Sequence, residues 1–163
     1  MEDERKGIIY DRIVGEILSV KFNESSERVY DEWMDKFVDF RKQLMQHNID
    51  DVISYKDFLK MFATDEETIA KINALADGDC FIHGDLHLEN VMLDQNNQWV
   101  LIDMMNVCKG TELYDVARTY FLLSYDSNIQ RKYLEKIGYS VEDIMPYLDA
   151  ILRVRENEMS CIY

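Results

Sequence analysis

Residues 83–90, with the sequence HGDLHLEN, concentrate polar side chains between two short apolar runs. Asp85 and Asn90 are five positions apart and can converge from one loop, while Asp103 directly follows the apolar run at residues 99–102. These three residues offer two carboxylates and an amide oxygen, which are the hard oxygen ligands that Mg²⁺ prefers. Phosphoryl transfer needs one residue to orient or deprotonate the acceptor hydroxyl and others to hold the metal against the phosphates. The pattern predicts Asp85 in the first role and Asn90 with Asp103 in the second.

The order of these residues resembles that of the aminoglycoside phosphotransferase and choline kinase family, whose fold is protein-kinase-like. The family pattern is His-x-Asp, then an Asn, then an Ile-Asp pair, and here the Asn follows Asp85 by five positions and Asp103 follows it by eighteen. The resemblance implies that Asp85 is the catalytic base and that Asn90 and Asp103 bind Mg²⁺. It also implies that the phosphate donor is ATP or GTP.

Two further residues are implied to support this loop. His83 matches a structural member of the family's catalytic loop, and Asp115, within the sequence LYDVAR, matches the aspartate that supports the loop from the start of a helix. The sequence departs from the family at Leu88 and Glu89, where Pro-Gly is usual. Glu89 therefore places an additional negative charge beside Asn90.

The resemblance extends to the nucleotide site. The sequence GIIYDRIVG at residues 7–15 is similar to the family's last N-lobe strand and hinge. Backbone groups around Asp11 and Ile13 are thus implied to meet the adenine edge, and Met92 and Ile102 are implied to form the floor of the adenine pocket.

The glycines of the chain bear on how phosphates could be held. A kinase needs a glycine-rich cover over the phosphates and a strand lysine to clamp them, but the six glycines form neither a G-x-G-x-x-G nor a Walker sequence. We therefore expect residues 1–15 to be a remnant of the last N-lobe strand and hinge, and residues 16–163 to be a kinase-like helical C-lobe. Apolar surface near Ile8, Ile9, Met92 and Ile102 is then expected to bind an N-lobe or to self-associate.

The elements that must position these residues follow from hydrophobic periodicity. It predicts helices at about 26–47, 55–62, 113–125 and 127–137, and one that begins at a capping box of Thr64 and Glu67. A last helix is predicted after Ser140 and Pro146, with Pro146 in its first turn, and extends to near the C-terminus. Short apolar runs predict strands at 80–82, 91–93 and 99–102. The expected fold is mainly α with a small β-hairpin region (α+β), as in the C-lobe of a protein-kinase-like phosphotransferase.

Composition limits the partners and the location. The 163 residues include 18 Lys and Arg against 32 Asp and Glu, a net charge of −14, which argues against binding to nucleic acid or to an anionic membrane but is compatible with a cationic ligand. The three cysteines have no metal-ligand spacing, which indicates a reducing compartment. No apolar run reaches the roughly 18 residues of a membrane span, so the predicted location is the cytoplasm.

The predicted function is transfer of the ATP γ-phosphate to a hydroxyl of a small molecule, with an aminoglycoside-like or choline-like cation as a compatible acceptor. A second hypothesis is a non-catalytic C-lobe that acts as a binding or interaction module. A metal-hydrolase interpretation of His83, Asp85 and His87 needs further ligands, and the one other histidine, His47, falls in a predicted helix. We interpret His87 as an ordinary loop histidine.

Overall fold

The computed structural model of the chain describes residues 12–161, although not the side chains of Glu27 and residues 156–161. The helices within this range are α1 (Leu18–Asn23), α2 (Glu27–Leu44), α3 (Tyr55–Lys60), α4 (Glu66–Ala74), α5 (Glu112–Leu122), α6 (Ser127–Ile137) and α7 (Val141–Cys161). The strands are β1 (Gly15–Ile17), β2 (Cys80–Ile82), β3 (Val91–Asp94), β4 (Trp99–Leu101) and β5 (Cys108–Gly110), and a short 3-10 helix covers Met104–Asn106.

The strands form two small antiparallel sheets. One has the order β1-β3-β4, with Gly15 opposite Asp94 and Val91 opposite Leu101, and the other pairs β2 with β5. The predicted mainly helical fold with a small β region is therefore confirmed. Within the described residues the chain passes between the two sheets three times, from β1 to β2 through helices and then, by short connections, from β2 to β3 and from β4 to β5.

The apolar stripe of α2 packs into the core, as its helical spacing predicts. Phe37 is fully buried. The rings of Trp33 and Phe40 lie 6.2 and 5.2 Å from the ring of Trp99 in β4. This aromatic group fixes α2 against the strand that leads to Asp103.

Helix α5 is the central helix of the lobe. Its buried residues include Tyr114 and Asp115, and it packs along α7. The ring of Tyr55 from α3 stacks on Tyr114 with their centroids 4.3 Å apart, and the ring of Tyr147 from α7 lies 6.3 Å from Tyr55. Because α5 is held on several sides, side chains that project from it toward the loop at residues 83–90 have a rigid base.

The four helices predicted with two stated ends, which correspond to α2, α3, α5 and α6, lie within three residues of the observed bounds, but two N-terminal details of α4 and α7 were wrong. The N-cap of α4 is Asp65, whose carboxylate accepts a hydrogen bond from the Thr68 amide at 2.8 Å, so that the cap is one residue later than the predicted Thr64. Pro146 lies in the second turn of α7, which begins at Val141. Its missing amide hydrogen costs α7 one internal hydrogen bond.

The predicted strand at residues 7–15 falls mostly outside the described residues, which begin at Arg12. Residues 12–14 have no regular secondary structure, and the observed strand is β1 at Gly15–Ile17. Among residues 12–161, no helix combines the length and the apolar composition that a bilayer-spanning segment needs.

Candidate active site

Two connections between the sheets run side by side. The loop at residues 83–90 leads from β2 to β3, and the segment at residues 102–107 leads from β4 to β5. Because β2 pairs with β5, the start of the first connection is next to the end of the second, and because β3 pairs with β4, the end of the first is next to the start of the second. We call the first the polar loop and the second the return segment.

Gly84 allows the polar loop to approach the return segment. Its φ is +78°, in the left-handed region that favours glycine, and a Cβ at this position would lie 2.3 Å from the Asn106 carbonyl oxygen. No other residue type fits both the conformation and the space. The glycine between His83 and Asp85 is thus required by close backbone packing.

His83 joins the polar loop to the return segment. Its buried ring donates a hydrogen bond from Nε2 to the Ile102 carbonyl at 3.0 Å, and its Nδ1 accepts one from the Asp85 amide at 3.3 Å. These partners fit the neutral tautomer that carries hydrogen on Nε2. Burial lowers the pKa of His83 below its ordinary value, and the hydrogen bond to Ile102 opposes that shift. With both nitrogens engaged, His83 is not available as the metal ligand that a hydrolase would need.

Asn90 lies close to Asp85, as their spacing predicts. Its amide nitrogen donates to the Asp85 main-chain carbonyl and to Asp85 Oδ2, both at 2.9 Å. Its own main-chain carbonyl accepts a hydrogen bond from the Ile102 amide at 3.1 Å. Within the described residues Asn90 Oδ1 has no hydrogen-bond donor, which leaves it available as an oxygen ligand.

Asp103 follows Ile102 directly and takes an unusual backbone conformation. Its φ is +57°, which is uncommon for a residue other than glycine and occurs where surrounding structure imposes it. Its side chain is exposed and, among residues 12–161, forms no hydrogen bond or ion pair with the protein. Because Ile102 contacts both His83 and Asn90, the Asp103 carboxylate that follows it lies next to the polar loop.

The donor set fits Mg²⁺. No group of three or more His, Cys, Asp and Glu side chains in the described part of the chain has metal-binding geometry. Mg²⁺ is commonly held by one or two protein oxygens together with substrate phosphates and water. Asn90 Oδ1 and the Asp103 carboxylate could supply those two protein oxygens.

Asp85 lies between three polar side chains. Asn90 bonds to Oδ2, His87 Nε2 lies 3.6 Å from Oδ2, and Arg118 Nη2 lies 3.8 Å from Oδ1. These neighbours, His87 first, lower the pKa of the Asp85 carboxyl, while partial burial opposes the shift. The group is therefore ionised at neutral pH and can accept a hydrogen bond from a hydroxyl.

Arg118 is the residue that the sequence analysis missed. Its Nε donates to the Gly84 carbonyl at 2.9 Å, so that α5 holds the polar loop directly. Arg118 is three positions after Asp115 and therefore on the same face of α5, which is the signal in the sequence that points to it. His87, which we interpreted as an ordinary loop histidine, is also a close neighbour of the Asp85 carboxylate.

Asp115 is buried and pairs with a different element. Arg41 of α2 donates from Nε to Asp115 Oδ2 at 2.7 Å and from Nη2 to the Glu112 carbonyl at 3.0 Å. Burial raises the pKa of the Asp115 carboxyl, and the Arg41 charge opposes this rise. The negative charge of Asp115 in turn favours the protonated form of His83. Asp115 therefore contacts α2 directly and affects the polar loop through its charge.

The residues implied in adenine binding lie on one side of the three-stranded sheet. Met92 is opposite both Ile17 and Val100, so these three side chains share a face, and Ile102 continues the same alternation. This face is only partly covered, with Ile17 37% exposed. Ile13 lines a depression of about 250 Å³ next to Val100. Ile13 thus lies beside Val100, which is the strand neighbour of Met92, whereas Asp11 lies outside the described residues.

A further cavity adjoins the polar loop. It has a volume of about 210 Å³ and is lined by His87, Glu89, Leu122 and Tyr125. The phenol of Tyr125 is largely exposed, and its pKa is raised by partial burial and by the nearby charge of Glu89. The cavity therefore combines an aromatic ring and a carboxylate within reach of a residue that contacts Asp85.

Comparisons with known proteins bear on the family and the fold of the chain. Residues 31–142 match the sequence profile of the phosphotransferase enzyme family, whereas none of the curated proteins matches the chain significantly. Among solved structures 24 chains match. One is the choline kinase LicA from Streptococcus pneumoniae, with a TM-score of 0.59 and 14% sequence identity over 90% of the present chain. The chain spans 57% of that kinase's length. At this identity the likeness concerns the fold alone, and it confirms the predicted kinase-like helical lobe.

Proposed function

Because the chain belongs to the phosphotransferase enzyme family, we propose that it transfers the γ-phosphate of ATP or GTP to a hydroxyl group of a small molecule. The observation that carries this proposal is the hydrogen-bonded arrangement of Asp85 with Asn90, next to the Ile102-Asp103 pair. It combines an ionised carboxylate with two oxygen ligands that fit Mg²⁺, as phosphoryl transfer requires.

Each residue of this set has a separate role in the proposed reaction. Asp85 orients the acceptor hydroxyl and takes its proton as the oxygen attacks. Asn90 and Asp103 hold Mg²⁺, which when bound offsets charge on the phosphates. His83 keeps the polar loop against the return segment, because it bonds to the residue that precedes Asp103. Asp115 pairs with Arg41 and so fixes α5 against α2, and α5 in turn holds the polar loop through Arg118.

We further propose that the nucleotide base lies against the sheet face of Met92 and Ile102, with Ile13 and Asp11 at its edge. Since the 163 residues contain no glycine-rich phosphate cover, activity would depend on a phosphate-binding lobe from further sequence or from another chain. The partly exposed face that includes Ile17 is the surface on which such a lobe, or a second copy of this chain, would pack.

The acceptor would enter the cavity at His87, Glu89 and Tyr125. An aromatic ring beside a carboxylate favours a cationic group, through cation–π and ionic attraction. The net charge of −14 supports the same preference. We therefore propose a hydroxylated ammonium compound, of the choline or aminoglycoside type, as the acceptor class.

The alternative is that the lobe is a non-catalytic binding or interaction module. The observation that favours it is the lack of a glycine-rich sequence among the 163 residues, because the phosphates would have no clamp. In that case the polar loop would keep its hydrogen bonds without supporting turnover. Nucleotide binding and phosphate transfer therefore separate the two hypotheses.

The test measures calorimetric binding of Mg²⁺-ATP and Mg²⁺-GTP, and formation of the nucleoside diphosphate with a panel of hydroxyl acceptors. It uses the 163-residue chain and a version extended upstream where the reading frame allows. We expect acceptor-dependent diphosphate formation in at least one form, and a loss of about 100-fold or more in Asp85→Asn. Glu135→Gln, on the exposed face of α6, is the matched control. Unchanged turnover in Asp85→Asn would exclude Asp85 as the base. If neither the 163-residue chain nor the extended version binds nucleotide or shows turnover, the result favours the non-catalytic binding or interaction module.

A further inference from the structure

Arg118 approaches Asp85 from α5. Its side chain is only 15% exposed, and its guanidinium donates from Nε to the Gly84 carbonyl at 2.9 Å and lies over the Phe121 ring at 5.7 Å. Its Nη2 faces Asp85 Oδ1 at 3.8 Å. One side chain therefore contacts both the peptide before Asp85 and the carboxylate of Asp85 itself.

The two carboxylate oxygens of Asp85 have different surroundings. Oδ2 accepts a hydrogen bond from Asn90 and has His87 at 3.6 Å. Oδ1 faces Arg118 at a distance longer than a hydrogen bond, and within the described residues no donor bonds to it. Oδ1 is therefore the oxygen that accepts no hydrogen bond from the described residues, and both of its lone pairs are available to an incoming hydroxyl.

We infer that Arg118 is a positioning residue that fixes the Gly84–Asp85 peptide and turns Asp85 Oδ1 toward the acceptor. The inference rests on the proposed phosphotransferase function. In that reaction the hydroxyl proton passes to Oδ1 while the hydroxyl oxygen bonds to the γ-phosphorus. The bond from that phosphorus to the β,γ-bridging oxygen breaks, and the nucleoside diphosphate leaves.

The guanidinium group suits this role better than an ammonium group would. It is planar and presents several N–H donors in a fixed arrangement, so Nε can hold Gly84 while Nη2 remains directed at Asp85. The cation–π contact with Phe121 at 5.7 Å favours the same orientation of the guanidinium. Lysine would supply the charge but would have one nitrogen for both tasks.

The kinetic test compares Arg118→Met and Arg118→Lys with Arg131→Met, whose arginine lies on the exposed side of α6. Misplacement of a catalytic group by about 1 Å can lower turnover about 100-fold. We expect a kcat loss of that order in Arg118→Met, with KM for nucleotide and acceptor changed less than about threefold, since binding groups remain. Arg118→Lys should recover part of kcat, and Arg131→Met should match the parent. An unchanged kcat in Arg118→Met, or a loss confined to KM, would overturn the inference.

A second measurement does not depend on turnover. Amide hydrogen exchange of residues 83–90 should accelerate in Arg118→Met and remain unchanged in Arg131→Met, because only the first variant releases Gly84. Exchange that stays unchanged in Arg118→Met overturns the positioning role. If the parent protein transfers phosphate to no acceptor, the proposed function fails, while the exchange experiment still decides whether Arg118 fixes the loop.

Discussion

His83 donates a hydrogen bond to the main-chain carbonyl of Ile102 at 3.0 Å, across 19 positions of sequence. This bond connects the residue two positions before Asp85 to the residue directly before Asp103. The neutral His83 ring therefore holds Asp85, the proposed proton acceptor, at a fixed separation from Asp103, one of the two proposed metal ligands. A charged side chain would be costly at this buried position, which is why the protonation state of His83 matters for stability.

The stability of the protein should fall as the pH drops below about 6.5. Burial lowers the pKa of His83 from 6.5, so the unfolded chain binds its proton at a higher pH than the folded chain. This contribution is fully present above pH 6.5 and is lost as the pH falls toward the lower folded pKa, at up to about 1.4 kcal/mol for each pH unit. Urea unfolding at several pH values between 5 and 8, in steps of about one unit, measures the slope.

The matched variants for this measurement are His83→Gln and His47→Gln. Glutamine can still donate to Ile102 but does not titrate, so the slope between pH 5 and 6.5 should flatten in His83→Gln. His47 is exposed, so His47→Gln should have the same slope of unfolding free energy against pH as the parent. Equal slopes in the parent and in His83→Gln would contradict the assignment.

Gly84→Ala should destabilise the protein more than Gly138→Ala. Both glycines have φ near +80°, but an added Cβ at Gly84 meets the Asn106 carbonyl oxygen at 2.3 Å, whereas Gly138 has nothing within 4 Å. The left-handed conformation alone costs about 1 kcal/mol in each case. We expect Gly138→Ala to lower the free energy of unfolding by about that amount and Gly84→Ala by at least about 2 kcal/mol more, from overpacking. Similar losses in the two variants would show that the return segment moves aside easily.

The sequence predicted the helices well because their apolar residues repeat over several turns. Helix α6 was predicted at its observed bounds, and α2 ends only three residues before its predicted end. The short elements β1, α1 and β5 were not predicted, because none of them contains three consecutive apolar residues of the kind that marks β2, β3 and β4. They form through pairing with distant strands or packing on the core, which local sequence does not record.

The same distinction applies to the candidate site. Asp85 and Asn90 belong to one loop, so their spacing along the chain was sufficient to predict that they meet. Arg118 contacts Gly84 across 34 positions, and Arg41 contacts Asp115 across 74. No local pattern connects such pairs, because the packing of α5 against the loop and of α2 against α5 brings them together.

Arg41→Met should be strongly destabilising. Arg41 is fully buried and pairs with buried Asp115, so its removal leaves an unpaired carboxylate in the core. Breaking a buried pair in this way typically costs about 3–5 kcal/mol, whereas an exposed pair contributes at most about 1 kcal/mol. Lys136→Met, which breaks the exposed pair with Asp35, is the matched control. Urea unfolding compares them, and the double variant Arg41→Met, Asp115→Leu should recover much of the loss. A cost no larger than that of Lys136→Met would contradict the buried-pair interpretation.

Glu89→Gln should reduce the preference for cationic acceptors while leaving uncharged ones unaffected. Glu89 and Tyr125 line the cavity next to His87, and a carboxylate there attracts an ammonium group. The probes are two primary alcohols of equal shape, one with a trimethylammonium group and one with a tert-butyl group. A loss of about 1.4 kcal/mol of attraction corresponds to a tenfold increase in KM, which we expect for the ammonium alcohol alone, and less at high salt. Because Glu89 is next to Asn90, a disturbed metal site would instead affect both alcohols equally. Equal changes would therefore show that Glu89 acts on the metal ligand and does not select the acceptor.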